Sequence, residues 1–201
     1  MLYTVVDRVE WQAPTVKASK FRATCFPVSS EQHARDELIA IRRRWANASH
    51  HCWAWRLGSP RIDRCGDDGE PSRSAGSPIL SQLVANSMID TAVVVTRWFG
   101  GTKLGVGGLA RAYRIACSGV LDASSMTACE PKQVWMVEYE HGDHHRVDRI
   151  LNLHGARSIS AEFHTKGRRV VELSMGCVEE VLQAVADATS GRAVCSTVDG
   201  S

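Results

Sequence analysis

The chain has 201 residues, 44% hydrophobic and 23% charged, close to globular averages and long enough for one large domain or two small ones with a packed core. Its opening, MLYTVVDRVEWQ, carries early acidic residues and no apolar run of leader length, and no uninterrupted apolar stretch elsewhere reaches ~18 residues, which argues against a membrane protein and for a cytoplasmic one. The net charge of +2 does not announce nucleic acid, but it is unevenly spread: 16 basic against 11 acidic residues up to residue 124 and 8 against 11 beyond it, so a polyanion would meet the first part.

Tyr3 to Gln12 and Lys20 to Val28 read as strands that can pair as a hairpin, with the Pro14 region separating them. Ser29 then offers a cap hydroxyl with Gln32 three residues on, and Ala34, Leu38, Ile41 and Trp45 follow at helical spacing. Arg42, Arg43 and Arg44 fall in the last turn, where cations complement the exposed carbonyls, although a nucleic-acid contact would use the same charges. His50 to Leu57 alternates bulky residues as a strand does. The following passage, Gly58 to Ser77, has the composition of a surface loop.

Ser77-Pro78 suits the start of a helix whose apolar face is Ile79, Leu80, Leu83, Val84 and Met88. Thr91 to Trp98 is almost wholly apolar, as in a strand covered on both faces. A glycine-rich turn precedes a helix from about Gly107 to Leu121, and the small, polar segment Asp122 to Pro131 reads as a boundary between domains at 1–124 and 130–201. Beyond it, strand (133–140), helix (143–153), strands (157–164 and 168–175), helix (178–188) and strand (193–198) follow in βαββαβ order, which is ferredoxin-like. The fold class expected is α+β.

Two segments concentrate residues with chemistry. In the first, Asp67, Asp68 and Glu70 set three carboxylates around one glycine turn. They suit a plain turn, a contact with a basic group such as Arg97 or Arg73, or a partly hydrated magnesium, and a metal is not the expectation. In the second, Gly100, Gly101, Gly105, Gly107 and Gly108 stand between a buried strand and a helix, with Arg97, Lys103 and Arg111 around them. Glycines free the backbone to present N–H groups at a helix N-terminus, so phosphate or carboxylate could meet both amides and cations. The same glycines also suit tight packing of a turn. The pattern is not a Walker A loop, since Val106 stands where lysine is required, and Gly105-x-Gly107-x-x-Ala110 is too loose a dinucleotide fingerprint to carry a cofactor; none is expected.

Alternation sends His50 and Cys52 to one face and His51 to the other, so the three cannot share an ion; His50 remains a neighbour for a ligand. His141-Gly142-Asp143-His144-His145 lacks the glutamate of a zinc helix motif and is expected to be solvated cap residues. Seven cysteines, an odd number with no CxxC pair, read as reduced thiols.

The segments 48–55 (ASHHCWAW), 67–80 (DDGEPSRSAGSPIL) and 93–113 (VVVTRWFGGTKLGVGGLARAY), with Lys17, Ser19, Lys20 and Phe21, resemble the signature of the YigZ/IMPACT family over roughly residues 17 to 121. Ser74 stands where threonine is usual and Trp98 where tyrosine is usual. The resemblance implies a first domain with the fold of the second domain of ribosomal small-subunit protein five. That superfamily includes kinases with a glycine-rich phosphate loop. It also implies a ferredoxin-like second domain similar to a module of elongation factor G. Eukaryotic relatives regulate translation through an additional N-terminal domain that this sequence lacks, so that activity does not carry over whole. Taken with the residues, the resemblance implies a binding protein rather than an enzyme, its partner RNA or a ribosome-associated protein. A magnesium-dependent nucleotide or phosphoester enzyme and a protein-interaction adaptor are the alternatives.

Overall fold

A computed structural model describes residues 1–59 and 61–198; Pro60, inside the expected loop, and residues 199–201, at the end of the expected second domain, lie outside them. The chain forms two compact units that divide between Cys129 and Glu130. Helix and strand are mixed in both, an α+β architecture.

In the first unit, β1 (Leu2–Val5), β2 (Val9–Gln12), β3 (Lys20–Pro27), β4 (His50–Leu57), β5 (Ile62–Gly66), β6 (Thr91–Trp98) and β7 (Met126–Cys129) accompany α1 (Glu31–Arg44), α2 (Gly76–Ala85) and α3 (Gly105–Asp122). Five strands make an antiparallel sheet in the order β2-β3-β6-β4-β5. Its centre, β6, is covered on both sides, which is why it reads as a continuous apolar run. Val93 and Val95 face α2 and α3 in one core with Phe21, Ala23, Cys52, Ile79 and Tyr113. Ala92 and Val94 face α1 in a second core with Leu38, Ile41 and Trp55.

Several details depart from the expected elements. The first strand is two, broken at Val6 to Arg8: β1 pairs with β7 and only β2 pairs with β3. The expected boundary segment 122–131 therefore contains β7, and the first unit runs to Cys129. The cap of α1 is Ser30, whose hydroxyl accepts from the His33 amide at 3.1 Å, one residue beyond the expected Ser29. The expected loop contains β5, an edge strand of half-buried and exposed residues. Helix α2 starts at Gly76, where a Cβ would lie 2.8 Å from the backbone of Gly66, so the helix approaches β5 more closely than a side chain permits.

The second unit holds β8 (Lys132–Tyr139), a short 3₁₀ turn, α4 (His144–Leu153), β9 (Arg157–Phe163), β10 (Gly167–Ser174), α5 (Val178–Ala188) and β11 (Val194–Thr197). Its antiparallel sheet runs β11-β8-β10-β9, and the helices pack Val147, Leu151, Val181 and Val185 into one core with Val137, Tyr139, Val171 and Leu173. Asp143 is buried rather than solvated, because Arg192 holds its carboxylate at 3.0 Å, and the His141 ring meets the His164 carbonyl oxygen at 2.7 Å.

Candidate functional site

Strand period decides where the chemistry goes. At the end of β6, Arg97 shares the face of Val93 and Val95 and turns towards α3, whereas Trp98 turns to the α1 side. Arg97 meets Glu70 at 2.6 Å, with both side chains only 4% exposed. Glu70 also accepts from the Tyr113 hydroxyl at 2.8 Å, and Arg97 donates to Ser19 Oγ at 3.2 Å. The guanidinium is flanked by the rings of Phe21 and Phe99, each 5.5 Å away, and its buried Nε has no partner among the described residues. Burial pushes the Tyr113 phenol and the Cys52 thiol well above their ordinary values, so both stay neutral and the phenol remains a donor.

The three carboxylates of the acidic turn do not converge. Asp67 serves α2 from a distance: its Oδ1 accepts the amides of Ala75 and Gly76 at 2.9 and 2.8 Å, and its Oδ2 that of Arg73 at 2.8 Å. It caps a helix that starts one residue before the expected Ser77 and places negative charge at its positive end. Asp68 accepts the His51 amide at 2.7 Å and pairs with Arg42 at 2.5 Å, while its carbonyl lies 2.8 Å from His50 Nδ1. Among the described residues no cluster of three His, Cys, Asp or Glu side chains is placed to hold a metal ion.

A cavity of about 450 Å³ opens beside this network, and its walls include His50, Glu70, Pro71, Arg97, Phe99, Lys103 and Gly105. It brings His50, Glu70, Arg97, Lys103 and Gly105 together. Asp67, Asp68, Gly100, Gly101, Gly107, Gly108 and Arg111 are not among its walls. Gly100 has a packing role instead, since a Cβ there would lie 2.1 Å from the Ala18 carbonyl carbon, and its amide donates to Ser19 Oγ at 3.2 Å. That amide is committed to the protein. Gly101 and Gly105 have φ of +84° and +73°, and the Leu104 side chain at the start of α3 makes no capping hydrogen bond, in a turn that also carries Lys103. Lys103 is exposed and has no ion pair among the described residues. Tyr113 lies on the buried face of α3, and a tyrosine there signals a buried hydroxyl in need of a partner. Phe99, Pro71 and Leu104 carry no comparable signal.

Residues 17–121 match the family model described as the Impact N-terminal domain. The chain is 44% identical over 112 residues to the IMPACT family member YvyE of Bacillus subtilis, an alignment covering 55% of this chain and 51% of that protein. It is 35% identical over 147 residues to the IMPACT family member in the pol 5'region of Thermus thermophilus, covering 73% and 78%. A crystal structure of a hypothetical protein is similar over 100% of this chain and 98% of its own, with a TM-score of 0.76 and 24% identity, which speaks for a common fold alone. Among the described residues no helix is long and apolar enough to cross a membrane.

Proposed function

The chain belongs to the IMPACT family, and from that premise we propose that it is a non-catalytic, translation-linked binding protein that contacts RNA through an anion site on its first unit. The observation that carries this is the cavity at the uncapped N-terminus of α3, where exposed Lys103 stands beside a buried Arg97 whose Nε lacks a partner. Helix amides, the positive end of the macrodipole and a lysine form an environment in which a phosphate is favoured over a neutral ligand. The Glu70 carboxylate is engaged by Arg97 and Tyr113, so the adjoining cation and dipole keep the mouth positive. The surplus of basic residues in the first unit has the same sign.

We propose further that the first unit has the fold of the second domain of ribosomal small-subunit protein five and that the second unit is ferredoxin-like, the latter supported by its βαββαβ order and its β11-β8-β10-β9 sheet.

The test is RNA binding measured across salt concentration. Several phosphate contacts predict a steep fall of affinity with salt, and Lys103→Ala should reduce the slope by about one. Binding that is flat in salt overturns the proposal. Capture of a protein partner that survives nuclease treatment, with no RNA affinity, points instead to an adaptor.

A further inference from the structure

A second cavity, of about 470 Å³, lies on the opposite side of the same sheet end and shares Phe99 with the first. Its walls include Lys20, Arg22, Trp45, Asn47, Trp98 and Phe99. The register explains the gathering: Lys20 is opposite Trp98 and Arg22 opposite Thr96, so these side chains alternate onto the α1 face, where Trp45 follows the end of α1. Trp45 and Trp98 meet edge to face at 5.7 Å, Asn47 accepts from the Trp98 indole N–H at 3.2 Å, and Arg22 lies over the Trp45 ring at 4.7 Å. Phe99 is 49% exposed although a large apolar ring costs free energy in water.

We infer that this groove receives an unpaired base, so that the RNA of the proposed function is single-stranded, with a base stacked at Phe99 and Trp98 and a backbone phosphate at Lys103. The inference rests on the proposed anion site and adds the ligand class. An exposed aromatic surface bordered by cations is the chemistry that holds single strands, since every base has a π face and the backbone needs positive charge. A duplex hides its bases in the stack and offers only shape and phosphate. The charge around the groove suits a polyanion: Arg22 and Arg44 both pair with Glu10, leaving one carboxylate between two guanidiniums, and Lys20 has no ion pair among the described residues. Phe99 stands at the turn between the two cavities, where one strand could reach a phosphate on one side and present a base on the other.

Three ligands separate the outcomes: a 12-nucleotide uridine oligomer, an abasic oligomer of equal length and charge, and a 12-base-pair RNA duplex. The uridine oligomer should bind tightest, and Phe99→Ala should weaken it by roughly 5- to 150-fold, the range of one lost base stack, and by more than it weakens the abasic oligomer, whose phosphates meet the same turn. Binding should quench tryptophan fluorescence, and Trp98→Phe should remove part of that quench. Phe99→Ala with an unchanged thermal midpoint excludes misfolding. Equal binding of uridine and abasic oligomers, or preference for the duplex, overturns the groove even if Lys103→Ala still lowers the salt slope. Loss with Phe99→Ala but not with Lys103→Ala removes the anion site and keeps the groove. No binding by the intact protein to any of the three removes both.

Discussion

Glu70→Ala would leave the Arg97 guanidinium buried at 4% exposure with the Ser19 hydroxyl at 3.2 Å as its remaining hydrogen-bond acceptor and with Nε already unpartnered. Deleting one member of a buried pair costs about 3–5 kcal/mol because the surviving charge stays desolvated. The Tyr113 hydroxyl would lose its acceptor as well, a further ~1 kcal/mol, which puts the expected loss near the upper end. With a urea slope of ~2 kcal/mol/M for a unit of this size, the unfolding midpoint should fall by roughly 2 M. Tryptophan fluorescence is a suitable probe because Trp11, Trp45, Trp53, Trp55 and Trp98 all lie in the first unit and only Trp135 in the second. The double variant Glu70→Met/Arg97→Met, which exchanges the pair for apolar groups, should recover most of the loss. A Glu70→Ala midpoint within ~0.5 M of the parent, or a double variant no more stable than the single, would refute the reasoning.

Gly100→Ala must displace the backbone of Ala18 and Ser19, and thermal unfolding should show a loss of at least ~1–3 kcal/mol, whereas Gly107→Ala, with open space around its Cβ in the first turn of α3, should be neutral or gain up to ~1 kcal/mol. His51 is 7% exposed, and its burial lowers its pKa below the ordinary value of 6.5. The unfolded chain therefore takes up that proton first, so stability is full above about pH 6.5 and declines as pH falls below it; His51→Gln should flatten the urea midpoint between pH 7 and 5.

Legibility in the sequence depended on how local the cause was. Helix α5 and strand β6 lie where spacing alone puts them, since a two-sided burial leaves a continuous apolar run and an amphipathic helix a periodic one. Strand β5, Ile-Asp-Arg-Cys-Gly, has no such pattern because an edge strand buries little, and β7 exists because β1, more than a hundred residues earlier, pairs with it. In the candidate site, the Glu70–Arg97 contact was one of the alternatives the residue types offered, and the structure selects it. The role of Asp67 was hidden for a different reason: a carboxylate that caps a helix nine residues away looks, in sequence, like any acidic turn. Phe99 and Trp98 lay inside the glycine-rich motif, where only their placement on either side of a sheet end gives them separate surroundings.

The acidic turn is fastened at several points at once: Asp67 to the start of α2, Asp68 to α1 and β4, Glu70 to β6 and α3. A ligand arriving at that rim meets groups whose positions are already set, and its association need not be offset by the entropy of ordering a loop. Recognition by this part of the molecule should resemble the docking of two preformed shapes, with little backbone rearrangement between the free and the occupied protein.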